Sequence, residues 1–556
     1  MDNGIFGLSS QGEAFTEHKA VAGKYLLKVR AYAQQAGPEK ARMGLMVDGQ
    51  TRQTVEVSAK ERSPGEYRLE LTLTEGKHRF GAAFLNDYYH PNDPNPENRD
   101  RNLFIESISI SGPLNAPPPP LPETHRRIFT STPREGATNE CSRSIIADFA
   151  RRAYRRPVAA QELDRLAALA QSARKQGASF EHSVKIALQA VLVSPHFLFR
   201  GELQPDPDNP NVRRSVDDFA LASRLSYFLW STMPDDRLFA LAEQKRVRKD
   251  LAPEVRRMLR DPKSQQFVQN FGGQWLQTRN LDLIAPDAQV FASFDPDLRA
   301  AMRIETEIFL ASVIAEDRSV LDLLNADYTF VNERLARHYG MAGVHGPEFR
   351  KVSLKGTGRA GVLTHAGVLT VTSNPTRTSP VKRGKWVLEN LLAQAPPPPP
   401  PTVPPLDETK EAAAGASLRQ RMEQHRADPM CSSCHSVMDP IGFSLEHFDG
   451  IGAWRHQDGS FPVDASGLLP SGERFDGAEG LTRLLVEKRR DQFVRCLAEK
   501  VLTYALGRGL EYYDRCALDR ITERVARDKY RFSSLIMAAV ESVPFQMRRG
   551  EGESQP

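Results

Sequence analysis

Cysteine is scarce in this chain, with five among 556 residues. At that density a fold held by disulfides is excluded, because stapled domains concentrate cysteine many-fold more. No stretch of about 18 apolar residues occurs, so no integral membrane segment is expected. Neither sign of charge prevails: 74 lysines and arginines face 70 aspartates and glutamates, a net charge of +4. That balance names no particular partner, and Arg-rich stretches such as Arg151 to Arg156 are interleaved with apolar residues, as on a solvated helix face. No nucleic-acid partner is therefore expected. No G-x-S-x-G, H-E-x-x-H or Walker-type loop stands in a fitting context, which leaves a hydrolase, metalloprotease or nucleotide site without support. Whether the chain is an enzyme stays open, and no catalytic residue is assigned.

Against that scarcity, two of the five cysteines stand together in Cys431-Ser432-Ser433-Cys434-His435. C-x-x-C-H is the attachment site of a c-type haem: both sulfurs bond to the porphyrin, and the histidine ligates iron from the proximal side. In a chain of this composition the pattern arises by chance in roughly one case in a thousand. The alternatives are half a zinc site or an inert pair. Zinc calls for a second Cys/His pair at similar spacing, and Cys141, Cys496 and Cys516 form none.

The rest of the chain divides by periodicity. Residues 1–113 read as an all-β sandwich: Tyr25, Leu27, Val29 and Ala31 alternate with Leu26, Lys28, Arg30 and Tyr32. Met43, Leu45 and Val47 repeat the pattern into the turn pair Asp48-Gly49, and Leu69, Leu71 and Leu73 do so before Glu75-Gly76. A Pro-rich linker, 114–137, contains the run Pro117 to Pro120. Mostly α-helical domains follow over 138–205 and 213–341, the second opened by a capping box at Ser215 to Asp218. A c-type cytochrome-like haem segment covers 350–457, with an internal proline strap at 396–405. A hairpin or loop at 458–479 leads to a C-terminal helical domain, 480–550. Within it Gly507 caps the helix whose face carries Phe493, Leu497, Val501 and Tyr504. Cys496 and Cys516 flank that turn, and two antiparallel helices there bring a disulfide within consideration, two buried thiols being the alternative; Cys141 reads as buried and unpaired.

A haem needs more than its attachment residues. Asp439-Pro440-Ile441-Gly442-Phe443 falls where a backbone carbonyl can accept from His435 Nδ1 and raise its donor strength. Phe443, Leu445, Phe448, Ile451 and Trp454 are candidate pocket walls. Arg455, with Arg377, Lys382 and Arg383, are candidates for the propionates, ordinary surface charges being the alternative. The distal ligand decides the chemistry: methionine indicates electron transfer, an open position permits peroxide or oxygen chemistry. Met547, Met537 and His365 are the candidates carried forward, with His447 and His456 behind them, a core methionine or surface histidine being the alternative for each.

At these residues the chain resembles the multidomain cytochrome c proteins of planctomycetes, built from serial domains of unknown function of the 1595, 1592, 1588 and 1585 types. The matching text includes Phe149-Ala-Arg-Arg-Ala-Tyr-Arg-Arg-Pro157, Leu192-Val-Ser-Pro-His-Phe-Leu-Phe-Arg200 and Ala222-Ser-Arg-Leu-Ser-Tyr-Phe-Leu-Trp230. It continues through Ser373 to Gly384, Cys431 to Arg455 and Leu502 to Arg508. The β-region resembles the calcium-dependent xylan-binding type of carbohydrate module, on Phe84-Leu85-Asn86-Asp87 and Arg99-Asp100-Arg101-Asn102-Leu103. That resemblance implies a glycan partner and a Ca²⁺ site with Asp87 and Asp100 among its oxygen ligands, loop caps being the alternative. Tyr88, Tyr89 and His90 offer a face to a sugar ring.

The expectation is a c-type haem-binding redox protein of the bacterial periplasm or cell surface, working on or near polysaccharide with an unidentified redox partner protein. The alternative is a surface polysaccharide-binding protein in which haem is structural. Haem attachment outside the cytoplasmic membrane conflicts with the opening Met1-Asp2-Asn3-Gly4, which is no signal peptide, so a further N-terminal portion is expected.

Overall fold

The computed structural model describes residues 5–114, 121–131, 133, 138–202, 206–397, 415–425 and 429–550. They fall into two compact units, 1–130 and 131–556. Pro117 to Pro120, and Pro398 onward in the proline strap, lie outside the described residues.

The first unit is the β-sandwich. Its strands are β1 (Phe6–Leu8), β2 (Gly12–Ala20), β3 (Gly23–Gln34), β4 (Ala41–Val47), β5 (Gln50–Val57), β6 (Gly65–Leu73), β7 (Gly76–Phe84), β8 (Tyr88–Tyr89) and β9 (Asp100–Ser111). One antiparallel sheet runs β1-β9-β3-β6 with β8 on β9; the other runs β2-β7-β4-β5. Tyr25, Leu27, Val29 and Ala31 of β3 meet Met43, Leu45 and Val47 of β4 in one core. Alternation along β3 does not persist: Ala31, Tyr32 and Ala33 are all buried. The register of β3 against β9 shifts between Arg30 and Ala31, and the irregularity turns consecutive side chains inward. Tyr32 then stacks on Phe104 with ring centroids 4.8 Å apart. Asp48 and Gly49 both adopt positive φ (53° and 76°), as a two-residue hairpin turn requires.

The second unit is helical, and the successive helical segments are not separate bodies. One core takes in Val216 and Leu221, Phe309 and Leu323, Trp386 and Met438, and Leu497 through Phe545. Within the expected linker a short helix forms, Glu123–Ile128. The helix Asp218–Trp230 is capped by the Asp217 carboxylate, which accepts from Ala220 N; Ser215 instead sits in a strand opposite Met547. The expected capping box at Ser215 is thus replaced by a simple N-cap two residues on, because a strand pairing claims Ser215 and Ala220 offers no side chain to return the bond. Gly507 caps the helix Arg490–Leu506 at φ 66°. The 458–479 stretch resolves into two small hairpins, Gln457–Asp458 with Phe461–Pro462 and Ser466–Leu468 with Arg474–Asp476. Among the described residues no helix is long and apolar enough to cross a membrane.

Candidate haem-attachment site

The C-x-x-C-H run lies on the helix Pro429–Phe443. Spacings of three and four residues return to one helix face, so Cys431, Cys434 and His435 share a side by backbone position. The side chain of Cys431 lies outside the described residues; Cys434 is half-buried. His435 Nδ1 stands 2.9 Å from Oδ1 of Asp439, whose carboxylate is buried. The partner expected in this stretch was a backbone carbonyl. Because the chain stays helical through Pro440, those carbonyls remain on the helix axis, and the i, i+4 side chain reaches the ring instead. Nδ1–H donating to a carboxylate places the lone pair on Nε2, the tautomer an iron ligand needs. Asp439 Oδ2 is buried without a hydrogen-bond partner among the described residues.

This helix crosses Pro380–Leu391 at close range. A Cβ on Gly384 would overlap the Met438 carbonyl oxygen, and one on Gly442 would overlap that of Pro380. Two glycines, one per helix, therefore let the backbones touch and fix where His435 sits. A charged frame holds the chain that follows. Arg383, fully buried, donates to the carbonyls of Leu445, Phe448 and Asp449 and to Glu446 Oε1 at 3.1 Å. Burial pulls its pKa down to about 10, which leaves it charged at neutral pH. Arg455 donates to Glu446 Oε2 at 2.6 Å and to Asp458, and Thr378 Oγ1 donates to the same Glu446 oxygen at 2.7 Å. Arg383 was expected at a propionate. It is instead sealed inside this frame, with its Nη donors turned to protein acceptors. Arg377 is half-buried and donates to Thr378 O.

Other candidate pocket walls are also used in folding. Phe443 packs with Leu418 and Met422, Leu445 and Phe448 with Leu369 and Ala478, and Ile451 joins a third cluster. Pro440 is buried. Trp454 is 39% exposed and stacks on His447, centroids 4.8 Å apart and rings 6° from parallel, while its indole N–H reaches His456.

The distal candidates lie in different surroundings. His365 is buried, its Nδ1 3.1 Å from Thr306 Oγ1 and its ring edge-on to Phe309. Burial pushes its pKa down to about 3, so the ring stays neutral, and Nε2 has no hydrogen-bond partner among the described residues. Met537 is core within Phe532–Glu541. Met547 sits on a strand paired with Arg213–Ser215 and lines a cleft described below. Cys496 and Cys516 are both free. Cys496 is buried with its thiol toward Asn390 O, and Cys516 is exposed, so no disulfide links their helices. Cys141, expected to be buried, is half-exposed beside Ser131.

In the β-unit, Asp87 immediately precedes β8 and Asp100 opens β9, with Tyr89 paired to Asp100. Asp87 is exposed, and Asp100 Oδ2 accepts from Asn102. No group of three His, Cys, Asp or Glu side chains converges as a metal site among the described residues. Tyr89 is 70% exposed.

The chain is modular: a β-sandwich and a helical body that carries a C-x-x-C-H helix. Residues 141–202, 216–341, 359–458 and 471–545 match family models described as protein of unknown function DUF1595, DUF1592, DUF1588 and DUF1585. Residues 26–124 match the model described as Ca-dependent carbohydrate-binding module, xylan-binding. The chain thus has the planctomycete cytochrome-type domain series behind an N-terminal module of the carbohydrate-binding type. A search of curated proteins finds no match. Asp439, Glu446, Gly384 and Gly442 went unassigned from sequence. The i, i+4 spacing of His435 and Asp439 was the one available signal.

Proposed function

We propose that the chain is a c-type haem-binding redox protein of the periplasm or cell surface, tethered to polysaccharide through its β-module. The observation that carries this is the Asp439–His435 pair on the C-x-x-C-H helix. A buried carboxylate orienting an imidazole is the usual support of a metal-ligating histidine and has no evident purpose for an inert one. Cys431 and Cys434 would hold the porphyrin, and His435 Nε2 would bind its iron. When bound, the group supplies a one-electron iron centre. Protein exported with haem-maturation machinery is expected to show sharp reduced c-type bands that survive acid–acetone extraction. Extractable haem, or no bands, overturns the reading.

A second reading rests on Tyr89. Its exposed ring beside Asp87 and Asp100 suits a sugar face next to a calcium site completed by carbonyl oxygens. Binding to xylo-oligosaccharide is expected to vanish with chelator and to weaken roughly tenfold or more in Tyr89→Ala, a loss of about 1.4 kcal/mol. Chelator-independent binding would remove the calcium role.

A further inference from the structure

In the helical unit, one cleft of about 1270 Å³ is walled by three stretches far apart in sequence: 154–202, 213–224 and 505–550. Its lining holds ten arginines, four carboxylates and no lysine. Six of the arginines are accounted for internally. Arg156 pairs with Glu162, Arg224 and Arg548 with Glu202, Arg508 with Asp514, and Arg524 with Glu541, while Arg155 donates to backbone carbonyls. Arg200, Arg213, Arg520 and Arg549 have no carboxylate partner among the described residues, and all four are exposed.

The ribbon at the cleft wall sharpens this. Its antiparallel register sets Arg213 opposite Arg549 and Arg214 opposite Arg548. Like charges directly across an antiparallel pair destabilise it. The second pair is relieved by Asp206 and Glu202; the first has no such relief among the described residues. A fold gains nothing from two unneutralised arginines placed face to face, whereas an anion bound between them would remove the repulsion. Aromatic faces adjoin the same charges: Arg549 lies over the Tyr513 ring at 4.2 Å, Arg200 over Tyr227 at 4.7 Å, and Phe199 is 68% exposed.

We infer that this cleft binds an acidic oligosaccharide, with sugar-borne carboxylates held by Arg213 and Arg549 and a sugar ring resting on Phe199. Guanidinium forks match carboxylates bidentately, which favours an all-arginine lining. The volume exceeds what a single small ligand fills, which favours an oligomer. Nucleic acid would use the same charge. However, the whole chain is nearly charge-balanced, without the strong positive field that draws polynucleotides. The N-terminal match to a carbohydrate-binding module also puts sugar recognition in the same chain.

The test uses the full chain, titrated calorimetrically with an oligogalacturonate, a neutral xylo-oligosaccharide and a single-stranded DNA of equal charge. The uronate is expected to bind with an affinity that falls as salt rises. R213Q/R549Q is expected to weaken it at least tenfold while leaving binding of the neutral sugar unchanged. That variant's melting temperature should stay level or rise, since a repulsion is removed; a fall with retained uronate affinity would show the pair to be structural and overturn the proposal. Absence of uronate binding, equal loss of the neutral sugar, or tighter binding of DNA would overturn it as well.

Discussion

The Asp439 carboxylate lies 2.9 Å from His435 Nδ1, one helical turn further along the same helix. Its second oxygen is buried without a hydrogen-bond partner among the described residues, so the negative charge bears mainly on the imidazole. A carboxylate partner makes a ligating imidazole a stronger donor and favours the oxidised, more positive iron. Asp439→Asn keeps the shape and a hydrogen-bonding group while removing the charge. With haem attached as proposed, the variant's midpoint potential, read by redox titration, is expected to rise by about 60 mV, a tenfold change for one electron. An unchanged potential in a correctly loaded variant would show that Asp439 does not act on the iron.

Where His435 sits depends on the glycine crossing. A methyl group at Gly384 or Gly442 meets a carbonyl oxygen of the opposite helix, and backbone cannot rotate away as a side chain can. Either alanine variant must push the helices apart. Overpacking of this kind costs about 1–3 kcal/mol, here toward the upper end. Urea unfolding should show that loss for Gly384→Ala and for Gly442→Ala. The double variant should cost less than the sum, because one separation relieves both overlaps. Full additivity would mean that the two contacts are independent.

Glu446 is the hub to which Arg383, Arg455 and Thr378 all point. Glu446→Gln leaves the fully buried Arg383 without its counter-charge. Breaking one partner of a buried pair typically costs about 3–5 kcal/mol. Adding Arg383→Met should restore part of that loss and no more, since the carbonyls of Leu445, Phe448 and Asp449 then lose their donor. Equilibrium unfolding of the single and double variants checks both steps. A cost below about 1 kcal/mol for the single variant would refute the frame.

These three sites show what could be read from the sequence. The period-two strands of the sandwich, the Asp48-Gly49 turn and the Gly507 cap were legible because each depends on neighbours within a few residues. The C-x-x-C-H run stood out because two of five cysteines and a histidine fall within five residues. Arg383 stood only as a propionate candidate, because a basic residue near a haem motif looks alike whether it faces solvent or a buried glutamate 63 positions away. Ser215 was read as a cap because its strand partner, Met547, lies over 300 residues downstream. The arginine cleft was invisible for the same reason, its walls being joined only by the fold.

Glu305 carries the last prediction. It is fully buried, with Thr329 Oγ1 donating to one oxygen at 2.7 Å and Tyr339 Oη to the other at 2.6 Å. Loss of hydration outweighs both bonds and pushes its pKa up to about 7 from 4.5. Between those values the unfolded chain releases a proton that the folded chain keeps. The contribution of Glu305 to stability therefore falls as pH rises from about 4.5 to 7 and levels off above, by about 3 kcal/mol in all. His365 works in the other direction: its pKa is held near 3, so folding is disfavoured as pH falls below about 6.5. Glu305→Gln removes the first contribution and leaves the second. Near pH 4.5 the variant should be slightly less stable than the parent, because the amide nitrogen faces a hydroxyl donor. Its relative stability should then improve steadily up to pH 7 and stay constant beyond. Unfolding free energies measured at half-unit pH intervals give that difference curve directly, and a flat curve would mean that Glu305 is ionised in the folded chain throughout.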